Sequence, residues 1–376
     1  MAWDETVQGL FHSEPVASVP RSLPASNSLL KRRHDIDALR VIALGLLIIY
    51  HTLLVFEPIG WRVTSDHAGR WAILLAETMT PWRLEVIFAI GGIAAAFLLS
   101  SRSVSSFLST RSQRLLIPFV FGVIVLVPPQ IYVHLLHNGE VTSSYMDFWL
   151  SGSWFTFDHD IPMPDLAHVW FLPYLFLYSA LLAWLLAKQP GVLQRARARI
   201  ERKPIWVIVA FAVAWNAIVQ TLPPPFPNLW KVLLGDIPAH LLYAPAFFVG
   251  FLIAGSERFW NGLTDARRSL GLLALAAMLL NLTLLRFSQV HPSVEANLVA
   301  NISKGVFGGA MVFAVFAWGR WALCEPIPGL AYATDAILPV YLLHQTVLVV
   351  VAYASGAIHW PVILAMPFLA LTSFAL

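Results

Sequence analysis

An arginine and a histidine within one apolar stretch form the clearest chemical pattern in the sequence. Arg40 and His51 are 11 residues apart. At 100° per residue both side chains lie on one face of a helix, about 16 Å apart along its axis. Asp37 lies on the same face, three residues before Arg40. A guanidinium at the end of a helix and an imidazole further along the same face indicate a path that leads a ligand into the protein. The plainer interpretation makes Arg40 an anchor paired with Asp37, and His51 a histidine that hydrogen-bonds between helices.

A second basic pair, Arg111 and Arg114, stands where the third apolar stretch is predicted to begin. Side chains three residues apart on a helix point in directions about 60° apart, and two such guanidinium groups suit phosphates. Taken alone, the pair is better explained as a signal of membrane topology. Together with Arg40, it predicts a cationic mouth that holds the phosphates of a nucleotide-like donor.

The amino-acid composition of the chain is typical of a membrane protein. Of its 376 residues, 58% are hydrophobic and 12% are charged, and the mean hydropathy is +0.70, whereas soluble domains contain about 25% charged residues. This excess of apolar residues cannot be buried in one water-soluble core, so we expect a polytopic membrane protein. The net charge of +3 concerns orientation and gives no reason to expect a nucleic-acid partner. The single cysteine, Cys324, excludes an internal disulfide.

The apolar stretches predict an all-α transmembrane bundle of about ten spans over residues 31–376, preceded by a disordered cytoplasmic tail, 1–30. The last span begins near Trp360 and still runs at Leu376, which indicates a truncated span. Of the 24 lysines and arginines, about three quarters fall in loops that share a side with the N-terminus, and cytoplasmic loops carry such an excess. We therefore expect the N-terminus inside. The predicted spans are 39–57, 84–100, 115–135, 168–187, 205–221, 238–255, 269–286, 298–318, 337–355 and 360–376.

Five motifs follow one another along residues 31–355. They are Arg40 with His51, the stretch Arg83–Leu98, Arg111 with Arg114, His-Val-Trp-Phe-Leu-Pro at His168–Pro173, and Tyr-Leu-Leu-His-Gln at Tyr341–Gln345. In this order on a ten-helix pattern, they resemble the acyltransferase 3 family of integral-membrane acyltransferases. The likeness is greatest to a branch that adds succinyl groups to periplasmic glucans. One departure is Gly91-Gly92-Ile93, which stands where the family usually has a serine, a glycine and an aromatic residue.

This resemblance implies a multi-pass enzyme of the bacterial inner membrane. It would transfer a succinyl or acetyl group from cytoplasmic acyl-CoA, used as co-substrate, to hydroxyls of a periplasmic or surface glycan. His51 would be the catalytic base or the acyl carrier, and Arg40, Arg111 and Arg114 would position the donor with Asp37 beside them. The family resemblance implies no permanently bound cofactor. No metal is expected, because His134, His137 and His159 lack the ligand spacing of a zinc site.

Three further positions carry smaller hypotheses. His344 is expected either beside His51 as a second acid or base, or as a packed hydrogen-bonding histidine. His168 and Trp170, at the head of the fourth span, are expected where the acceptor meets the pocket, although His168 could equally cap the helix at the membrane interface. Glu85, two residues after Arg83, is predicted to form an internal ion pair with it.

The sequence is also compatible with two other functions and with two orders of the chemical steps. A proton-coupled secondary transporter also uses histidines within the membrane and proline-interrupted helices. An O-acetyltransferase of another polysaccharide would differ only in donor and acceptor. Direct attack by the hydroxyl and a covalent acyl-histidine intermediate are both compatible with these residues.

Overall fold

The structure is a computed structural model that describes residues 33–155, 165–222, 233 and 235–375. The predicted tail, 1–30, and His159 lie outside the described residues. Throughout the described part of the chain the regular elements are helices and no strand is formed, which confirms the predicted all-α class. The α-helices are α1 (His34–Leu54), α2 (Arg70–Glu77), α3 (Arg83–Ser101), α4 (Val104–Phe121), α5 (Val127–Asn138), α6 (Tyr145–Leu150), α7 (Phe171–Lys188), α8 (Pro190–Arg202), α9 (Ile205–Val219), α10 (Ile237–Ile253), α11 (Glu257–Asp265), α12 (Arg267–Val290), α13 (Val294–Ala322), α14 (Leu330–Ala354) and α15 (Val362–Phe374).

Each of the ten predicted spans overlaps one of these helices. Among the described residues, seven helical segments are long and apolar enough to cross a membrane alone, and the count reaches nine if each of two bent pairs is one span. The pairs are α8 with α9, bent by 115°, and α10 with α11, bent by 110°. Helix α15 has 13 residues and is about 20 Å long, which is shorter than the hydrocarbon core of a bilayer, about 30 Å.

Close packing of α3 against α10 depends on two glycines. A Cβ atom at Gly92 would lie 1.8 Å from the Phe247 carbonyl oxygen, and one at Gly250 would lie 2.1 Å from the Ala89 carbonyl oxygen. Small residues that let two backbones approach in this way are typical of helix interfaces in membranes. Gly92 therefore has a packing role in the motif that departs from the family pattern.

The third predicted span is a single continuous helical segment with a local change of winding. Helix α4 begins at Val104, where the Ser103 hydroxyl caps it by accepting from the Ser106 amide. Arg111 and Arg114 therefore lie two turns inside the helix rather than at its start. Residues Gly122–Leu126 are π-helical, and Pro128 follows. Because proline has no N–H to donate, the carbonyl oxygen of Ile124 is available, and it accepts from Trp149 Nε1 at 3.0 Å.

Candidate active site

A cavity of about 880 Å³ runs along α1 between α3, α4, α7 and α14. We call one end the Arg40 end, where Arg40, Arg111 and Arg114 line the wall, and the other the Arg62 end, where Arg62 and Asp165 line it. His51 lies in the last turn of α1, between the two ends. The single stripe predicted for Arg40 and His51 thus faces one cavity. Its other polar and aromatic lining residues include Tyr50, Trp61, Arg83, Thr110, His168, Trp170, Thr334, Asp335, Tyr341 and Gln345.

His51 is hydrogen-bonded to a second histidine from α14. His51 Nδ1 lies 3.0 Å from His344 Nε2, and His344 Nδ1 lies 2.6 Å from the Tyr341 carbonyl oxygen. Since a carbonyl only accepts, His344 Nδ1 carries the proton and its Nε2 has a lone pair. In the neutral pair His51 Nδ1 therefore donates to His344, and the hydrogen-bond network assigns the free lone pair to His51 Nε2.

Aromatic rings cover His51 on the side of the cavity. The Trp61 ring stacks on the imidazole with centroids 5.9 Å apart, and Tyr50 meets it edge-on at 5.4 Å. His51 is 9% exposed, whereas His344 is 0% exposed and stands behind it, outside the residues that line the cavity. His51 therefore borders the cavity, whereas His344 lies behind it.

His168 and Trp170 both line the cavity, as a short 3-10 helix at Ala167–Trp170 leads into α7. His168 Nε2 donates to the Leu342 carbonyl oxygen at 2.9 Å, and the Tyr341 hydroxyl donates to the His168 carbonyl oxygen at 2.5 Å. Among the described residues His168 Nδ1 has no hydrogen-bond partner. The preceding residue, Ala167, has a φ of 41°, a conformation that costs a non-glycine residue about 1 kcal/mol or more. The two hydrogen bonds to α14 hold His168 in place despite this strain.

The Arg40 end carries an excess of positive charge. Arg111 Nη2 donates to the Gly91 carbonyl oxygen at 3.2 Å, so the motif that lacks its usual serine still makes a polar contact through the backbone. Arg40 Nη1 lies 3.8 Å from Asp37 Oδ1, and Asp37 itself is not among the cavity-lining residues. Arg114 is exposed. Three guanidinium groups face one end of the cavity, a donor set suited to phosphates.

At the Arg62 end, Arg62 and Asp165 form an ion pair. Asp165 Oδ1 also accepts from the Ala167 amide at 2.7 Å, and the Arg62 carbonyl oxygen accepts from His134 Nδ1 at 3.0 Å. The two charged side chains join the loop after α1 to the segment before α7. They therefore tie together the parts of the chain that carry Trp61 and His168.

A polar network that includes the cavity-lining Gln345 fixes α14 against α5. Gln345 Nε2 donates to Gln130 Oε1 at 2.9 Å, and Gln130 Nε2 donates to Thr346 Oγ1 at 2.8 Å. The Leu126 carbonyl oxygen, at the end of the π-helical turn, accepts from both Gln130 and Thr346. This network sets the register of α14 and with it the position of His344.

Arg83 is one of the cavity residues to which the sequence pattern assigned no role in the site. The expected ion pair with Glu85 is not formed, because residues two apart on a helix point in different directions. Glu85 Oε2 instead accepts from Asn216 Nδ2 at 3.1 Å. The Arg83 guanidinium carbon lies 3.8 Å from the centre of the Tyr50 ring. The only signal in the sequence was a lone arginine at the start of an apolar helix.

Nearly the whole described part of the chain matches a known protein family. The family model described as an acyltransferase domain matches residues 33–376. The chain belongs to this acyltransferase family. The acyltransferase is therefore a transferase of groups other than aminoacyl groups, and the transporter hypothesis is not supported.

Individual relatives agree with the family. The acyltransferase is 24% identical over 328 residues to the glucans biosynthesis protein C of Escherichia coli (strain K12), a match that covers 84% of this chain and 82% of the relative. It is equally similar, with the same coverage, to the glucans biosynthesis protein C of Shigella dysenteriae serotype 1 (strain Sd197). No solved structure matches this acyltransferase.

No cofactor or metal site follows from the geometry of the acyltransferase. Within the described residues, no group of three or more histidine, cysteine, aspartate or glutamate side chains could hold a metal ion. The cavity wall offers a histidine with a free lone pair and several guanidinium groups. The expectation that no cofactor is permanently bound stays a prediction.

Proposed function

We propose that the protein transfers an acyl group from acyl-CoA to a hydroxyl group of a glycan, with His51 as the general base. The observation that carries the proposal is the His51–His344 pair in a cavity with three arginines at one end. An acyl-CoA places its phosphates at Arg40, Arg111 and Arg114, and its pantetheine arm extends along α1 toward His51. The glycan reaches His51 from the Arg62 end, past Trp61, His168 and Trp170. The name of the relatives, glucans biosynthesis protein C, supports a glucan as the acceptor.

The chemical step follows from the hydrogen bonds of the histidine pair. His51 Nε2 removes the proton of the glycan hydroxyl as its oxygen attacks the thioester carbonyl carbon. The C–S bond then breaks, and the CoA sulfur leaves with the proton that His51 holds. His344 is a positioning residue that accepts from His51 Nδ1 and keeps the imidazole in the reactive tautomer. In the alternative sequence, His51 Nε2 attacks the thioester first and passes the acyl group to the hydroxyl.

We further propose how the protein is oriented in the membrane. The N-terminus and the Arg40 end face the cytoplasm, where acyl-CoA is found, and the Arg62 end faces the periplasm across the bacterial inner membrane. The distribution of lysine and arginine supports this orientation. A succinyl or an acetyl group is compatible with the cavity, and an O-acetyltransferase of another polysaccharide would use the same steps.

The direct test uses purified full-length protein in detergent, acetyl-CoA or succinyl-CoA, and a glucan oligosaccharide. We expect release of free thiol together with an acylated oligosaccharide detected by mass spectrometry. His51→Ala should reduce the rate by about 10³-fold or more, while the exposed His291→Ala should behave as wild type. If purified His51→Ala transferred acyl groups at the wild-type rate, the histidine would have no part in the reaction.

The acyl group and the acceptor can be identified in cells. Mass spectrometry of periplasmic and surface glycans, with and without the gene, should show a succinyl or acetyl substituent that disappears on deletion and returns with wild-type protein. Complementation with His51→Ala should leave the substituent missing. Identical glycans in all strains would contradict the proposed acceptor.

A further inference from the structure

Arg83 is a buried cation at the cavity wall that the proposed reaction has not yet used. Its side chain is 4% exposed and lines the cavity. Within the described residues no carboxylate pairs with it, and its Nε and Nη1 atoms have no hydrogen-bond partner. An uncompensated buried charge costs several kcal/mol, so a purely structural role gives no reason for a cation at this position.

Two other cations within the bundle pair with carboxylates. Lys304 Nζ lies 3.1 Å from Glu77 Oε1, and Arg62 pairs with Asp165. Glu85, the carboxylate nearest to Arg83 in sequence, is turned toward Asn216. Ionisable residues in membrane proteins that lack a protein partner commonly mark a substrate site.

The position of Arg83 is set by the residue next to the histidine. Its guanidinium stacks on the Tyr50 ring at 3.8 Å, and the Tyr50 ring is 5.4 Å from the His51 ring. Arg83 and His51 therefore both contact the Tyr50 ring. Arg40, in contrast, lies about three helical turns away from His51 along α1. The phosphate-binding arginines and Arg83 thus serve different parts of a ligand.

We propose that Arg83 is a catalytic residue that binds the thioester carbonyl oxygen and stabilises the negative charge that develops on it; this inference rests on the proposed function. As the glycan oxygen bonds to the carbonyl carbon, the π electrons of the carbonyl move onto its oxygen, and His51 takes up the hydroxyl proton. In this proposal the guanidinium donates to the carbonyl oxygen while His51 Nε2 holds the hydroxyl proton. When the C–S bond breaks, the electron pair returns to the carbonyl and the sulfur leaves with the proton. Oriented donors in a site that excludes water are among the largest contributions to catalysis.

The test compares Arg83→Gln and Arg83→Lys with wild type in detergent, using acetyl-CoA and succinyl-CoA as donors and a glucan oligosaccharide as acceptor. We expect Arg83→Gln to lower kcat by about 10²- to 10³-fold with both donors and to change KM by less than about threefold. The unfolding temperature should be unchanged or higher, because an unpaired buried charge has been removed. Arg83→Lys should recover part of kcat. The exposed Arg286→Gln is the matched control.

Three different results would contradict the role of Arg83, and they can be told apart. An unchanged kcat would show that Arg83 does not act on the oxyanion. A loss confined to succinyl-CoA would show that Arg83 binds a carboxylate of the acyl group. A fall in unfolding temperature that parallels the loss of activity in both variants would show a structural role. Failure of the proposed function itself would be distinct, since wild-type protein would then release no thiol from either donor.

Discussion

Two groups of buried charged side chains in this bundle differ in how they are compensated. At the start of α1, Asp35 is 1% exposed and accepts hydrogen bonds from Arg33 at 2.8 and 2.6 Å, and Arg320 lies 3.7 Å away. At the cavity, Arg83 is similarly buried, yet among the described residues no carboxylate pairs with it. The paired charges hold helices together, whereas Arg83 lines a cavity in which a ligand can compensate it.

The comparison extends to neutral polar atoms. The Gln130–Gln345–Thr346 network, of which Gln345 lines the cavity, satisfies its donors with protein acceptors. By contrast His168, another residue of the cavity wall, has an Nδ1 atom without a partner among the described residues. The cavity wall thus includes polar atoms for which the protein itself supplies no partner, as expected of a site shaped for a substrate rather than for stability.

The largest expected effect is the loss of stability on breaking the ion pair between Arg33 and Asp35. Asp35→Asn removes the carboxylate but leaves Arg33 buried, so the free energy of unfolding should fall by about 3 kcal/mol or more. Thermal unfolding in detergent should show this as a lower midpoint, while kcat of the folded protein at low temperature stays near wild type. The exposed Asp265→Asn is the control. An unchanged midpoint would mean that the pairing at the start of α1 contributes nothing to the fold.

A smaller effect, on catalysis alone, should follow removal of the hydrogen bond behind His51. His344→Leu removes the acceptor for His51 Nδ1, so kcat should fall by about 10²-fold, with KM little changed. His344→Asn offers a side-chain oxygen as acceptor and should retain more activity than His344→Leu. Steady-state kinetics of both variants test this prediction. Equal losses in the two variants would contradict the positioning role.

The smallest effect should come from the exposed end of the cavity. Arg114→Gln removes one phosphate donor from a solvent-screened position, so KM for acyl-CoA should rise by about tenfold with kcat nearly unchanged. The difference from wild type should shrink at high salt. Arg268→Gln, an exposed arginine away from the cavity, serves as the control. A loss of kcat without a change in KM would place Arg114 in the chemical step instead.

The apolar stretches of the sequence predicted the helices of this fold, because a segment that crosses lipid must satisfy its backbone hydrogen bonds within a helix. Each predicted span overlaps a helix, and the 11-residue spacing placed Arg40 and His51 on one cavity wall. The start of α4 was missed because Ser103 caps a polar first turn, which hydropathy does not detect. Helix α15 is shorter than predicted for a spanning segment.

Tertiary packing decided what the sequence left open. The contact between His51 and His344 joins residues 293 positions apart and depends on how α1 packs against α14. The expected Arg83–Glu85 pair was wrong because neighbouring helices present Tyr50 to one side chain and Asn216 to the other. The spacing of two residues gave no information about either partner.

The most direct test of the central claim is a cryo-EM structure with a non-hydrolysable ketone analogue of acyl-CoA, in which a methylene group separates the sulfur from the carbonyl carbon. We expect phosphates at Arg40, Arg111 and Arg114, the carbonyl carbon within about 5 Å of His51 Nε2, and the carbonyl oxygen turned toward Arg83. A bound analogue whose carbonyl carbon lies away from His51, or whose phosphates lie at the Arg62 end, would contradict it.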